Sequence, residues 1–141
     1  MVPSNVERSK GPPVTTQFPA LNFPALQRAQ LSNGIKVVLA ERSDIPVVSM
    51  SLEMPGGYVA DVGRKLGTAS FTLGMLDEGS GDLDALGFGD RAEALGANLG
   101  AGAALDGGNA FLSALKENLD PSVALFAQML RSPNFDEKEI E

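Results

Sequence analysis

The stretch Leu66–Gly79, LGTASFTLGMLDEG, decides how the rest of this chain is read. Leu66, Ala69, Leu73 and Leu76 recur at helical spacing on one side, and Phe71 and Met75 lie on others. That pattern predicts a short core helix covered on more than one face. Gly74 sits in the middle of it, where glycine costs roughly 1 kcal/mol relative to alanine.

Upstream of this helix the hydrophobic period is two. LQRAQL (26–31), Asn33-Gly34 and IKVVLAER (35–42) form a hairpin signal, because Asn-Gly suits the positive φ values of a type I′ turn. After the break Ser43-Asp44-Ile45-Pro46, VVSMSLEM (47–54) alternates again and places Val48, Met50, Leu52 and Met54 on one face. Three antiparallel strands are expected. Pro55-Gly56-Gly57 ends the third, and a loop with Asp61, Arg64 and Lys65 leads into the helix.

Downstream, the loop EGSGDLDALGFGD (78–90) precedes a second helix predicted over Asp90–Leu95, with Gly96 as its C-terminal cap. NLGAGAAL (98–105) and NAFLSALK (109–116) flank Asp106-Gly107-Gly108 and read as a second hairpin. Asp120-Pro121 starts the last helix, with Asp as N-cap and Pro at the first helical position. Leu119, Val123, Phe126, Ala127 and Leu130 form its apolar stripe, and Ser132-Pro133 ends it. Strands followed by helices, a hairpin and a helix make an α+β fold, a mostly antiparallel sheet with helices packed on one face.

Residues 1–25 are Pro-rich and carry the near-repeat FPALN (18–22) and FPALQ (23–27), which predicts extended linker, either a tail or a tether to a preceding domain. The expected division is therefore linker 1–25 and domain 26–141. The N-terminus lacks the apolar core of a signal peptide, and Asp136–Glu141 reads as the acid-rich first turn of a helix. Either the chain is cytoplasmic, or Met1 is not the natural start and any export signal lies upstream; the second is the expectation, because the far end also reads as cut.

Composition excludes several classes of function. The chain has no histidine and no cysteine, so neither an HxxEH zinc site nor a Cys/His cluster can be assembled, and thiol catalysis is absent. Net charge is −7, and residues 1–30 carry Arg8, Lys10 and Arg28 against Glu7, which leaves the rest more acidic still. Such a surface does not grip a phosphate backbone, so nucleic acid is not an expected partner. No apolar run approaches the ~20 residues of a membrane helix, and no membrane partner is expected. The carboxylates Asp77, Glu78, Asp82, Asp84 and Asp90 depart from calcium-loop spacing and are read as a solvated loop. Gly87, Gly89, Gly96, Gly100 and Gly102 lack the spacing of a nucleotide-binding turn. Gly96–Ala104 is read instead as a strand approached closely by another backbone, whose edge a peptide could follow.

The ordered set of LSNGIKVVLAE (31–41), Ile45-Pro46-Val47-Val48, Pro55-Gly56-Gly57, Gly67-Thr68-Ala69, Leu95-Gly96-Ala97, Leu119-Asp120 and Ser132-Pro133-Asn134-Phe135 resembles the pitrilysin/insulinase family of zinc peptidases, which includes the mitochondrial processing peptidases. The resemblance covers residues 28–141 and implies the N-terminal part of a peptidase half-domain. In active members of that family the helix after Gly-x-Ala carries HxxEH, whose histidines hold zinc and whose glutamate activates water.

Laid on this chain, the pattern puts Ser70 and Gly74 at the histidines and Leu73 at the glutamate. Catalytic, cofactor-binding and metal-binding residues are accordingly expected to be none. The family's third ligand, a later glutamate, would fall past Glu141. The resemblance implies a zinc-free half that closes over a catalytic half, upstream in the same chain or in a partner subunit. Zinc would belong to that half, and peptides or unfolded polypeptides would be substrates. Bacterial relatives are often exported, which favours the periplasm. The alternative is a purely structural homologue acting as an assembly or scaffold subunit, as in respiratory complexes. A free-standing hydrolase built on Ser70 has no histidine to serve as its base.

Overall fold

The structure is a computed structural model that describes residues 11–12 and 16–140. Most of the Pro-rich segment lies outside the described residues; positions 16–25 carry neither helix nor strand. Contacts divide the chain into two compact units between Ser43 and Asp44.

The first unit contains one hairpin. Strand β1 (Leu26–Gln30) pairs antiparallel with β2 (Lys36–Ala40), with Leu26 opposite Ala40 and Gln30 opposite Lys36. The turn differs from the expected type I′. Only Gly34 has a positive φ, 91°. The Gly34 N–H donates to Leu31 O at 2.9 Å and the Leu31 N–H donates to Ile35 O at 2.9 Å. The longer loop lets Asn33 keep a negative φ while its Oδ1 accepts from the Ile35 N–H at 3.1 Å.

The second unit is built on a three-stranded antiparallel sheet. Strand β3 (Val47–Pro55) joins β7 (Gly107–Leu115), and β7 joins β6 (Asn98–Ala103) as a hairpin. Both ends of β3 are tied to the second hairpin: Lys116 N–H donates to Pro46 O, and Tyr58 N–H donates to Ala104 O, each at 2.9 Å. Pairing here follows these long-range ties, which strand periodicity does not report.

Between β3 and the second hairpin come a 3₁₀ turn at Tyr58–Asp61, helix α1 (Thr68–Gly74), a small ladder of β4 (Gly79–Ser80) with β5 (Leu83–Asp84), and α2 (Ala85–Leu95). Helix α2 starts five residues before the expected Asp90. Asp84 Oδ1 accepts from the Gly87 N–H at 2.9 Å and caps it, and Phe88 is buried. Gly87 and Gly89 masked this first turn in the sequence. Gly96 ends the helix at φ 61°, as expected.

Helix α3 spans Leu119–Arg131, so the expected cap moves: Asn118 is the N-cap residue and Pro121 lies inside the first turn. Asn118 Nδ2 donates instead to Leu95 O at 2.9 Å and ties α3 to the end of α2. The buried face is Ser122, Leu125, Phe126 and Met129; Val123, Ala127 and Leu130 of the expected stripe lie at its margin. Alternate residues Ala110, Leu112 and Ala114 of β7 meet Leu76, Phe88, Leu95, Leu125, Phe126 and Met129 in one core. The helices thus cover a single face of the sheet. Burying a side chain such as Leu112, 1% exposed, contributes about 1.5–3 kcal/mol.

Candidate functional site: the α1 helix

Helix α1 is held at its start by Asp61, whose carboxylate is buried. Oδ2 accepts from the Gly67 N–H at 2.9 Å, and Oδ1 from the Ala69 N–H at 3.2 Å. These two backbone donors have no partner within the helix, and the carboxylate satisfies both. Gly67 reaches this geometry with φ 89°, a conformation that glycine adopts without steric cost. Thr68 Oγ1 closes the turn by donating to Lys65 O at 2.6 Å. Asp61 stands six residues before its partner, outside any local capping spacing, so sequence reading leaves it in a loop.

The helix is exposed on most of its circumference, contrary to the expected cover on several faces. Leu66, 78% exposed, precedes the first turn, and Phe71 is half exposed. Ala69 and Leu73 are half buried, whereas Met75 and Leu76, just past the helix, are buried. Gly74 is the last helical residue rather than a central one, and a Cβ placed on it would meet nothing within 4 Å.

Ser70 and Gly74, four residues apart, share the exposed side. Leu73 turns toward the sheet and packs where a side chain on Gly108 would otherwise stand. Zinc does not fit here. A serine hydroxyl is a poor ligand, glycine offers none, and the position of the base is occupied by an aliphatic side chain in contact with β7. Among the described residues no group of three or more His, Asp, Glu or Cys is placed to hold a metal ion. Of the acidic loop, Asp84 caps α2 and Asp77 is half buried, while Glu78, Asp82 and Asp90 are exposed.

Two concavities flank the start of α1 and share Thr68. One, about 320 Å³, is lined by Met54, Pro55, Asp61, Arg64, Thr72 and Leu73 among others. The second, about 510 Å³, is lined by Lys65, Leu66, Gly67, Thr68, Phe71 and Ile140.

The Gly96–Ala104 stretch is approached in two ways: at its end the backbone of Gly57 and Tyr58 closes on Ala104 O, whereas a Cβ on Gly100 would stand 3.3 Å from the Phe111 ring and 3.5 Å from Asp77 Oδ2, so side chains close on it there. Burial pushes the Asp77 carboxyl above the ordinary carboxylate range, with its own backbone N–H pulling the other way.

Comparison with known proteins places this geometry in a family. The sequence profile described as Insulinase (Peptidase family M16) matches residues 36–141. The chain belongs to this family. A crystal structure of a peptidase M16 inactive domain from Pseudomonas fluorescens superposes with a TM-score of 0.77 at 30% identity, covering 82% of this chain and 28% of that one. A curated relative from Helicobacter pylori, the non-peptidase homolog YmxG, is 26% identical over 125 residues, 88% of this chain and 29% of its own length. A second crystal structure, of a protease from Helicobacter pylori, shares the fold with a TM-score of 0.65 at 23% identity, over 82% of this chain and 28% of that one. The chain is homologous to inactive, non-peptidase domains of the family, and it spans less than a third of the length of these relatives.

Proposed function

We propose that this chain is part of the zinc-free half of a two-half peptidase of this family, lining the peptide-binding chamber and contacting the catalytic half. One observation carries the reading: helix α1, which on this reading stands where active members carry HxxEH, is capped by Asp61 and packed on the sheet through Leu73, while the ligand positions hold Ser70 and Gly74. A scaffold without its metal is what a chamber wall requires. On this reading zinc sits in the catalytic half, the substrates are peptides or unfolded polypeptides, and residues 1–25 are a tether. The likeness to an inactive domain and to a non-peptidase homolog supports it.

The test is to express the full-length parent protein with and without the HxxEH-bearing family member of the same genome and to follow zinc-dependent cleavage of an unfolded polypeptide. The expected result is a stable complex whose cleavage needs both halves. A catalytic member that is fully active alone and forms no complex with this protein would overturn the proposal. A stable complex without any proteolysis would favour the scaffold alternative.

A further inference from the structure

Asn33 is the only asparagine of the chain followed by glycine, and the pair lies in the turn between β1 and β2. An asparagine in this setting can modify itself. The backbone nitrogen of the next residue attacks the side-chain Cγ, ammonia leaves, and water opens the resulting cyclic imide at either carbonyl to give aspartate or its β-linked isomer. Glycine lacks the Cβ that would hinder the attack, which makes Gly34 N the nucleophile best suited to it in this chain. The attack also needs that nitrogen stripped of its proton, and here the proton is engaged. Gly34 N–H donates to Leu31 O and Leu31 N–H donates to Ile35 O, each at 2.9 Å. The electrophile is held as well, because Asn33 Oδ1 accepts from the Ile35 N–H at 3.1 Å. Gln30 Nε2 donates to Gly34 O at 3.1 Å and braces the turn from the end of β1.

We propose that Asn33 is a self-modification site gated by its own turn: deamidation proceeds only when the Gly34 N–H is released from Leu31 O, the same opening that amide hydrogen exchange requires. The gate is internal to the hairpin and does not rest on the chamber role. A surface packed over the turn would add a barrier without removing this one. The two products act differently on the fold. Aspartate at position 33 keeps an oxygen for the Ile35 N–H, so the turn closes again. The β-linked isomer adds a carbon to the backbone between residues 33 and 34, which moves the Gly34 N–H off Leu31 O and disturbs the pairing of Gln30 with Lys36. A two-stranded hairpin has little stability to spare, so this slow chemical step loosens β1 from β2 and leaves the sheet of β3, β6 and β7 paired.

The experiment incubates the intact chain, folded and in urea, at one pH and temperature, and follows deamidation at Asn33 by peptide mapping and exchange of the Gly34 amide by NMR. Folding should slow deamidation roughly tenfold or more, and by the same factor as it slows exchange at Gly34. Gln30→Ala, at an exposed position, should speed both together by roughly two- to tenfold while exchange at buried Leu112 stays as it was. Asn33→Asp should retain the protection of Gly34, and chain enriched in the β-linked isomer should lose it. Deamidation as fast in the folded chain as in urea would overturn the gate. So would slow deamidation with Gly34 exchanging freely, because something other than the turn would then be holding Asn33. A Gln30→Ala chain in which only one of the two rates moves, or neither, would overturn it too. Loss of Gly34 protection in Asn33→Asp would overturn the distinction between the products.

Discussion

Leu73 on α1 and Gly108 on β7 occupy one space between them: a methyl group on residue 108 would overlap Leu73 Cδ1 and come within 3.2 Å of Gly102 O. Leu73, which the resemblance sets at the family's catalytic base, is thus a packing residue in this chain, and glycine is what lets it reach the sheet. Gly108→Ala should cost about 1–3 kcal/mol of stability through overpacking. The double variant with Leu73→Ala should cost less than the sum of the two single changes, because the overlap is removed. Additive losses in a denaturant cycle would show that the two residues are not in steric contact.

Gly74 makes the opposite case on the same helix. It has helical φ/ψ, lies exposed at the last helical residue, and has open space around it. Gly74→Ala should raise Tm, with a gain of at most about 1 kcal/mol, less than at a central helical position. A lower Tm would mean that the position contacts something in the folded chain.

Gly57 carries the junction between β3 and the second hairpin. A Cβ there would run into Ala104 O and stand 2.6 Å from both Gly107 N and Gly107 O, all of them backbone atoms that cannot swing aside. The same junction holds the Tyr58 N–H on Ala104 O, the Val59 N–H on Leu105 O at 2.9 Å, and Tyr58 Oη on Ala103 O at 2.7 Å. Gly57→Ala should therefore cost about 3 kcal/mol or more, combining overlap with loss of these bonds. Urea unfolding is the measurement, and a loss under about 1 kcal/mol would contradict the close approach.

Much of this architecture was legible in the chain because it is local. The two hairpins, the Gly96 cap and the extent of α3 each follow from turn chemistry and period. What escaped is non-local. The pairing of β3 with β7 joins Val47 to Leu115, Asp61 reaches six residues forward to hold α1, and the exposure of Phe71 depends on which neighbours are present. Periodicity reports which face of an element is apolar, and it does not name the surface that will cover it. The first turn of α2 escaped for a local reason, since Gly87 and Gly89 depress helix propensity where only the Asp84 cap and buried Phe88 sustain it.

Asp77 gives a pH dependence whose sign follows from burial. Its carboxyl is held above the ordinary range, so the folded state prefers the protonated form, and the ionised form is a cost present above the folded pKa. That cost is relieved as pH falls through the folded pKa toward the unfolded value. Asp77→Asn should therefore raise Tm near neutral pH, and the difference from the parent should shrink on acidification. A difference independent of pH would assign the effect to hydrogen bonding or packing at Gly100 and Phe111 rather than to ionisation.

Restoring the family's ligands separates a damaged enzyme from a chamber wall. Ser70→His and Gly74→His would set two imidazoles on the exposed side of α1, where they can share an ion. Leu73→Glu does not complete the set. Its side chain would have to leave the contact with β7 at Gly108, or bury a carboxylate there without a partner. Among the described residues no further carboxylate cluster stands ready as third ligand or to orient the histidines. The triple variant should bind zinc weakly, melt below the parent, and hydrolyse no unfolded peptide above background. Retention of stoichiometric zinc through dialysis, together with zinc-dependent cleavage by this chain alone, would show that α1 stands in a nearly complete active site, and the chamber-wall role would have to be given up.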